Sequence, residues 1–489
     1  MSLIQIKKPI TLWNSNRIDI AAKILFIKFL EEGISSPYGE EVYLNHLKVW
    51  NNLIEIKPEK IGSVEYIDSF KRIISDIKDD KFDFQKSPIL LNTNNEIING
   101  SHRLAAAIYY NKPIYIQYTD NLSGQANCNY ELFQSHDNRF GKLKKQYLDS
   151  MVMEYIERKK RGVFVVTIFP SARGFDEQVV GKIKEYGDII YRKDFFLNKE
   201  SGARFIRMLY QGEEWLKGDG GQAKANYAFP DSGYVRSFFI EINDKKDLKD
   251  LKQDLRDYFD IGKHSLHIND RREETIRISR HLLNENTIEF FNNVPEGSLM
   301  ENAEKLFNKF CKEIDRKKID KDQIMIVGSF VLALFQIRDI RDIDYISKKR
   351  IRTEKEFQSH NKYIEEYGFN AHEWLFNPQN YFYYMGVKVL SIETAKLFKR
   401  KRNETKDKED LLALEQKFSR TSKNELEYFL SITKKMGDDF DRQINLLEII
   451  NKQQSDMSAE LLSLRESINL LQLKSSPKWW IKRLIPWKK

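Results

Sequence analysis

The sequence predicts a multidomain α+β chain, and three observations carry that expectation. The chain has 489 residues, enough for about three domains at ~150 residues each. Runs rich in β-branched and aromatic residues recur in three separate stretches, each interleaved with segments of helical period. Beyond them the pattern becomes wholly helical and acquires apolar heptads. These changes of pattern place boundaries at 1–125 (α+β), 126–161 (a linker helix), 162–293 (α+β), 294–422 (α+β), 423–474 (helical, coiled coil) and 475–489 (a basic aromatic tail).

Composition narrows the class. Lys and Arg number 81 against 72 Asp and Glu, and the resulting +9 is spread along the chain except at its last residues. Such interleaving predicts solvated surfaces and no nucleic-acid partner. Cys128 and Cys311 lie far apart and outside any CxxC or Cys/His cluster, which argues against a disulfide scaffold or a zinc site and for a reducing cytoplasm. The apolar stretch after Lys7 and Lys8 is broken by Asn14, Asn16, Arg17 and Asp19, so no signal peptide is expected. No run of 18 apolar residues is present either.

In the first segment, helices are expected over about Ile18–Glu32 and Glu41–Leu53, then a strand over Pro88–Leu91. The informative piece is Glu96-Ile97-Ile98-Asn99-Gly100-Ser101-His102-Arg103-Leu104, a strand and a glycine turn entering a helix, followed by Lys112-Pro113 and the strand Ile114–Ile116. A helix start carrying His and Arg suits an anion. This turn resembles that of the ParB/sulfiredoxin-like fold, in which Gly-x-His-Arg or Gly-x-Arg-Arg lies against nucleotide phosphates. The resemblance implies that Gly100, Ser101 and Arg103 hold phosphate and that His102 takes part in chemistry. Tyr43, His46, Trp50 and Glu55 are candidates for a facing wall, but on their own they read better as one face of an amphipathic helix. Ser101 stands where sulfiredoxins keep a cysteine, and no helix-turn-helix with a basic recognition face follows, so neither that reductase nor a partition protein is expected. A small-molecule kinase using this domain is one alternative function. Without a ligand, His102 and Arg103 would simply fix the turn.

The middle segment opens with Val163-Phe164-Val165-Val166-Thr167-Ile168-Phe169-Pro170, a strong strand, followed by a helix over about Phe175–Tyr186 and a strand over Asp188–Tyr191. It closes with Leu255–Phe259, the run Gly262–Asp270 and a helix to Asn284. That order predicts a ferredoxin-like unit. It resembles the nucleoside-diphosphate kinase fold, on whose late turn His267 and Asp270 match the phosphate-carrying histidine and its aspartate, and Arg256 the arginine. Phe169 replaces the lysine before the proline and Ile268 the glycine after the histidine, so a full kinase cycle is not expected. His264 and His267 read equally well as packed or surface histidines, and a metal pair of these with Asp270 is a further possibility by spacing.

The most chemically pointed pattern is in the third segment. Ile324–Val327 is an apolar strand, Gly328-Ser329 a tight turn, Phe330–Ile337 a helix, and Asp342-Ile343-Asp344-Tyr345-Ile346 a strand whose two aspartates share one face. Paired carboxylates suit a hard cation, and a glycine turn lets backbone N–H groups approach phosphate. On its own Asp-x-Asp also occurs on ordinary exposed strand edges. The whole pattern resembles the nucleotidyltransferase superfamily, which implies that Ser329 binds a nucleotide phosphate beside Gly328 and that Asp342 and Asp344 are catalytic and hold Mg²⁺ or Mn²⁺, with a nucleoside triphosphate as substrate. The superfamily completes its metal site with a third acidic residue on a later strand, for which Glu373 is the expected candidate. Gly386–Ser391 and Lys396, Arg400, Lys406, Asp407 and Asp410 match the strand and basic helix that follow, with Lys406 a phosphate ligand.

From Leu447 onward, Ile450, Met457, Leu464 and Leu471 form one apolar row and Leu447, Leu461 and Ile468 the other, interrupted by Gln454. This predicts a short coiled coil and a homo-oligomer, although an amphipathic helix lying on the protein's own core would show the same seam. After Pro477, the tail Lys478–Lys489 alternates tryptophans and aliphatics with cations. It is too short to span a bilayer but suits an anionic membrane surface, giving a cytoplasmic protein peripheral to the inner face of the membrane; an acidic surface of a partner protein is the competing reading, and a disordered tail would show the same composition. Such tails resemble those of enzymes that build bacterial surface polysaccharide. The expected function is therefore Mg²⁺-dependent nucleotidyl or phosphoryl transfer to a small phosphorylated or sugar-type acceptor in capsule, lipopolysaccharide or teichoic acid synthesis. The alternative is a scaffold or regulator of glycan enzymes that binds nucleotide without turnover.

Overall fold

Each strand-bearing segment builds its own sheet in the computed structural model, which describes residues 4–418 except 57–58, 121–126, 136–137, 160–161, 217, 243–244 and 295–298. The heptads and the basic aromatic tail lie outside the described residues. Among those described, no helix is long and apolar enough to cross a membrane.

The first segment contributes β1 (Ile4–Ile6), β2 (Ile54–Ile56), β3 (Glu59–Ile61), β4 (Ile89–Leu91), β5 (Ile97–Asn99) and β6 (Ile114–Tyr118). β2 and β3 form a separate hairpin, and the others a mixed sheet of order β1-β6-β4-β5. The helix Asp19–Glu31 is apolar nearly all round, as burial on several sides demands. The second helix spans Tyr38–Asn51, earlier than the apolar spacing alone suggested, because Pro37 precedes its first turn and Asn52 ends it at φ 54.

In the middle segment β7 (Val163–Ile168), β8 (Asp188–Leu197), β9 (Gly233–Glu241) and β10 (Leu266–Ile268) form a sheet of order β10-β7-β9-β8 in which every neighbour is antiparallel. All of β7 is buried. One face packs Phe164, Val166 and Ile168 with Phe238, Ile240 and Leu266 against Val179, Leu251 and Leu255 of two helices, Asp176–Tyr186 and Lys245–Phe259. β9 and the helices between Lys199 and Phe229 escaped the sequence reading, and β8 runs six residues further than expected.

The third sheet comprises β11 (Ile324–Val327), β12 (Ile343–Ser347), β13 (Phe357–Ser359), β14 (Tyr381–Tyr384) and β15 (Val387–Leu390), in the order β13-β12-β11-β15-β14. β12 runs antiparallel to β11, while β13 is parallel to β12 and β15 parallel to β11. The helix after Ser329 stops at Leu334 rather than Ile337, since Gln336 turns to φ 54.

Residues 126–161 are not one linker helix. They contain two helices, Tyr130–Gln134 and Lys145–Arg158, and the second is a buried element carrying Leu148, Met151, Val152, Tyr155 and Ile156. Its Asp149 lies 2.5 Å from the buried Lys193 of β8, which also meets Glu285 at 2.6 Å. Asn284 Nδ2 donates to Tyr381 O at 3.1 Å, and Lys388 of β15 donates to Asp322 O at 2.9 Å. Asn284 thus ties the helix following the middle sheet to β14 of the third, and Met1–Glu415 forms one compact unit; the second unit is Gln416–Lys489.

Candidate functional site

Strand β11 is entirely buried and is followed by Gly328, whose φ of +71 lies in the left-handed region that favours glycine. A Cβ there would lie 3.2 Å from Cβ and Cγ of Asp344 and would collide with its carboxylate oxygen. The glycine thus lets the Gly328-Ser329 turn rest directly on Asp344. Register explains the approach: Asp344 of β12 is paired with Val327, the last residue of β11. Asp342 stands two positions earlier, just ahead of β12, and Ser329 opens the helix Phe330–Leu334 without using its side chain as a cap.

Two polar side chains that sequence reasoning overlooked complete this surface. Gln358 of β13 is in register with Asp344, and its Nε2 donates to Asp342 Oδ2 at 3.4 Å. His360, two residues on, places Nε2 3.1 Å from Asp344 Oδ1. The alternation Gln358-x-His360 was the available signal, but a three-residue strand beside a run of charges has no periodicity of its own to announce it.

Burial raises the Asp344 carboxyl to about 6, with the charge of Asp342 adding to the rise and Arg402, Lys406 and Lys399 opposing it. Burial holds the His360 imidazole below its ordinary range. Among the described residues, no Lys or Arg forms an ion pair with Asp342 or Asp344, and the His360 contact is their nearest substitute. The nearby cations are mostly engaged elsewhere. Lys399 is buried between Asp407 (3.2 Å) and Asp410 (2.7 Å), Arg402 holds Asp407 at 2.6 Å, and Arg338 holds Asp410 at 2.7 Å. Lys406 is exposed and, among the described residues, pairs with Glu404 at 3.1 Å. It is the expected phosphate ligand that remains available to a substrate. Lys396 pairs with Glu393 and Arg400 with Glu415.

Glu373, expected as the third metal carboxylate, is committed to another task. It accepts a hydrogen bond from Ser36 Oγ and one from Asn377 Nδ2 at 2.6 Å, while the neighbouring His372 Nδ1 accepts from Ser35 N at 3.1 Å. Its helix, Ala371–Phe376, therefore clasps the loop between the first two helices of the chain. Among the described residues no three His, Cys, Asp or Glu side chains are grouped to hold a metal. Asp342 and Asp344 by themselves suit Mg²⁺, which commonly takes one or two carboxylates and fills its remaining positions with water and substrate phosphate.

The first sheet keeps its turn but not the expected use of it. Gly100 adopts φ +103 and the helix Ser101–Tyr110 follows. Arg103, expected at phosphate, donates to Ser87 O at 3.0 Å, to Ser87 Oγ and to Asn99 Oδ1 at 3.0 Å, closing the turn on itself. His102 turns inward: Nε2 meets Tyr43 OH at 3.0 Å and the ring packs edge-on to Phe70 at 4.7 Å. Glu55 pairs with Lys60 at 2.8 Å. Behind Tyr43, buried His46 lies 3.2 Å from Lys23, itself paired with Asp19 at 2.6 Å.

In the middle sheet, His267 sits on β10 and Arg256 on the helix Lys245–Phe259. His264 is not on that strand but in a preceding turn of helix, and Asp270 is exposed, so the three do not converge as a metal set.

No protein-family model, no curated protein and no solved structure matches the chain.

Proposed function

We propose that the chain is a Mg²⁺- or Mn²⁺-dependent nucleotidyl- or phosphoryl-transferase acting at Asp342 and Asp344. One observation carries this reading: two adjacent carboxylates that, among the described residues, have no Lys or Arg ion pair, one of them lying against a glycine turn too close for a Cβ. The order of the third sheet, with β12 antiparallel to β11 and the Gly328-Ser329 turn between them, supports the nucleotidyltransferase likeness. The antiparallel order β10-β7-β9-β8 likewise supports a ferredoxin-like middle unit.

Asp342 and Asp344 would hold the cation, which when bound supplies neutralisation of phosphate charge and orientation of the leaving group. Ser329 and the backbone at Gly328 orient the triphosphate above Asp344. Lys406, whose charge acts on Asp344, offers an exposed ammonium to phosphate, and Gln358 and His360 keep the two aspartates in place. Transfer then needs positioning and electrostatic stabilisation more than covalent participation by the protein. The acceptor class we propose is a sugar or alditol phosphate used in surface glycan assembly, with the basic aromatic tail holding the enzyme near an anionic membrane.

The test is Mg²⁺-dependent release of pyrophosphate, or transfer of label, from each nucleoside triphosphate across a panel of sugar phosphates, alditol phosphates and amino acids. Asp342→Asn is expected to abolish turnover while leaving the fold intact. Wild-type protein that binds nucleotide yet turns over nothing on the panel would instead favour a nucleotide-binding scaffold.

A further inference from the structure

The positive charge of the chain is interleaved in sequence, yet the fold gathers part of it at one end of the third sheet. β12 ends at Ser347 and its parallel neighbour β13 begins at Phe357. Parallel neighbours are usually joined through a packed helix, but here a helix-free loop crosses, Lys348-Lys349-Arg350-Ile351-Arg352-Thr353-Glu354-Lys355-Glu356. The helix Glu301–Arg316 runs out beside it into Lys317 and Lys318. Lys317 Nζ donates to Arg352 O and joins the two basic runs into one patch.

The loop is pinned from beneath. Ser347 Oγ donates to Lys349 O at 2.8 Å and the buried Tyr345 OH to Ile351 O at 3.1 Å, while Thr353 Oγ1 donates to Phe357 O at 2.9 Å and closes the far end. Its carbonyls are thus taken up by the protein, whereas among the described residues the N–H groups of 349–353 donate to nothing in the chain. Donors are what the loop has left to offer a partner.

Charge divides the same way. Glu354 pairs with Lys309 at 2.9 Å, and Glu356 with the same ammonium. Glu313 holds Lys317 at 2.9 Å and also Arg316, Asp315 holds Lys321 at 3.0 Å, and Lys348 reaches Glu32 at 2.5 Å. The local acids are therefore committed. Lys318, Lys349, Arg350 and Arg352 are exposed and, among the described residues, none of them makes an ion pair. Like charges exposed side by side repel one another and are balanced by an anionic surface.

The form of the patch selects among anionic partners. A duplex is read by a helix or ribbon laid in its groove, and single strands by aromatic side chains on which bases stack; this loop and helix end contain neither a recognition helix nor an aromatic residue. A layer of lipid headgroups needs only cations brought to its plane. Position agrees: Ser347 is in register with Ile324, the first residue of β11, and Asp344 with Val327, the last, so the patch lies about 10 Å along the strands from the Gly328 turn. A surface bound there leaves Asp342 and Asp344 open.

We propose that Lys349, Arg350 and Arg352 of the β12–β13 loop, with Lys318, form a docking surface for an anionic lipid bilayer. The surface rests neither on the basic aromatic tail nor on the transferase reading.

Co-sedimentation of the full chain with vesicles of phosphatidylglycerol and phosphatidylcholine, and with phosphatidylcholine alone, tests the proposal. Binding is expected to the first mixture only, falling as salt rises. Each cation near an anionic leaflet contributes about fivefold to partitioning, so the triple variant Lys349→Gln, Arg350→Gln, Arg352→Gln should bind about 100-fold more weakly. A control removing three scattered exposed cations, Lys71→Gln, Lys184→Gln, Lys249→Gln, should bind as the wild type does. The tail is the same in all three proteins, so the differences between them report the loop. A readout that needs no variant is acetylation of the wild-type chain, in which bound vesicles should shield Lys349 while Lys71 stays reactive. No binding to the anionic vesicles, equal binding by the loop variant, an equal loss in the control variant, unshielded Lys349 on bound protein, or tighter loop-dependent binding to polyglutamate or an oligonucleotide than to the vesicles would each overturn it. Turnover is not read, so failure here leaves the transferase reading untouched.

Discussion

Alanine at Gly328 adds one methyl group, and the consequence can be worked out from two separate features of the site. The backbone conformation, φ +71, costs an L residue ~1–2 kcal/mol. The methyl would also press on Asp344 at 3.2 Å from Cβ and Cγ, with a carboxylate oxygen nearer still, and overpacking of that kind costs ~1–3 kcal/mol. Gly386 separates the two effects, since its φ is +80 but nothing lies within 4 Å of its would-be Cβ. Gly386→Ala should therefore lose about 1–2 kcal/mol in urea unfolding, and Gly328→Ala about 2–5 kcal/mol, the sum of both effects. Catalysis should divide them further. Relief of the clash moves the Asp344 carboxylate, and displacement by about 1 Å costs roughly 100-fold in rate, so Gly328→Ala should lose about that much transferase activity while Gly386→Ala keeps it. Equal stability and equal activity in the two variants would show that the turn does not rest on Asp344 and would remove the basis for the site.

Three further outcomes are expected. Because the Asp344 carboxyl is raised from 3.8 to about 6 in the fold, its contribution to stability is fully present below its ordinary range and is lost as pH rises through 6. Asp344→Asn should accordingly gain up to ~3 kcal/mol over wild type at pH 8 but not at pH 3, with wild-type activity falling below pH 6 as the carboxylate is protonated; a pH-independent difference in urea melts would refute this. Gln358→Glu sets a third carboxylate opposite Asp344 and should tighten Mn²⁺ binding, read by paramagnetic resonance, about tenfold; unchanged affinity would mean that β13 does not face the ion. Glu373→Ala, which breaks the bonds to Ser36 and Asn377, should cost about 1–3 kcal/mol of stability with activity retained, whereas loss of activity in a folded variant would return Glu373 to the metal set.

The local patterns of the third segment were readable because each rests on neighbours in sequence. Ile324–Val327 is apolar, Gly328 must turn, and the two-residue period sets Asp342 and Asp344 on one face. The Gly100 turn was readable for the same reason. Side-chain partners are set by residues remote in the chain. The glycine turn suggests an external phosphate for Arg103, whereas Ser87, sixteen residues earlier, and Asn99 accept hydrogen bonds from its guanidinium. Glu373 was chosen for its acidity, and its partner Ser36 lies 337 positions away. The helix Lys145–Arg158 looked like a linker because its buried face is matched only by surfaces brought in from other segments.

The sequence by itself determined the α+β class, the three sheet-bearing segments, the glycine turns and the Asp342-Ile343-Asp344 pair, since all of these follow from conformational preference and side-chain period over a few residues. Tertiary structure decided that Met1–Glu415 closes into one compact unit and that Gln358 and His360, not Glu373, stand beside the aspartates. The physical reason is the same in each case: hydrogen bonds and charges act through space, and only packing sets the distance between residues remote in the chain.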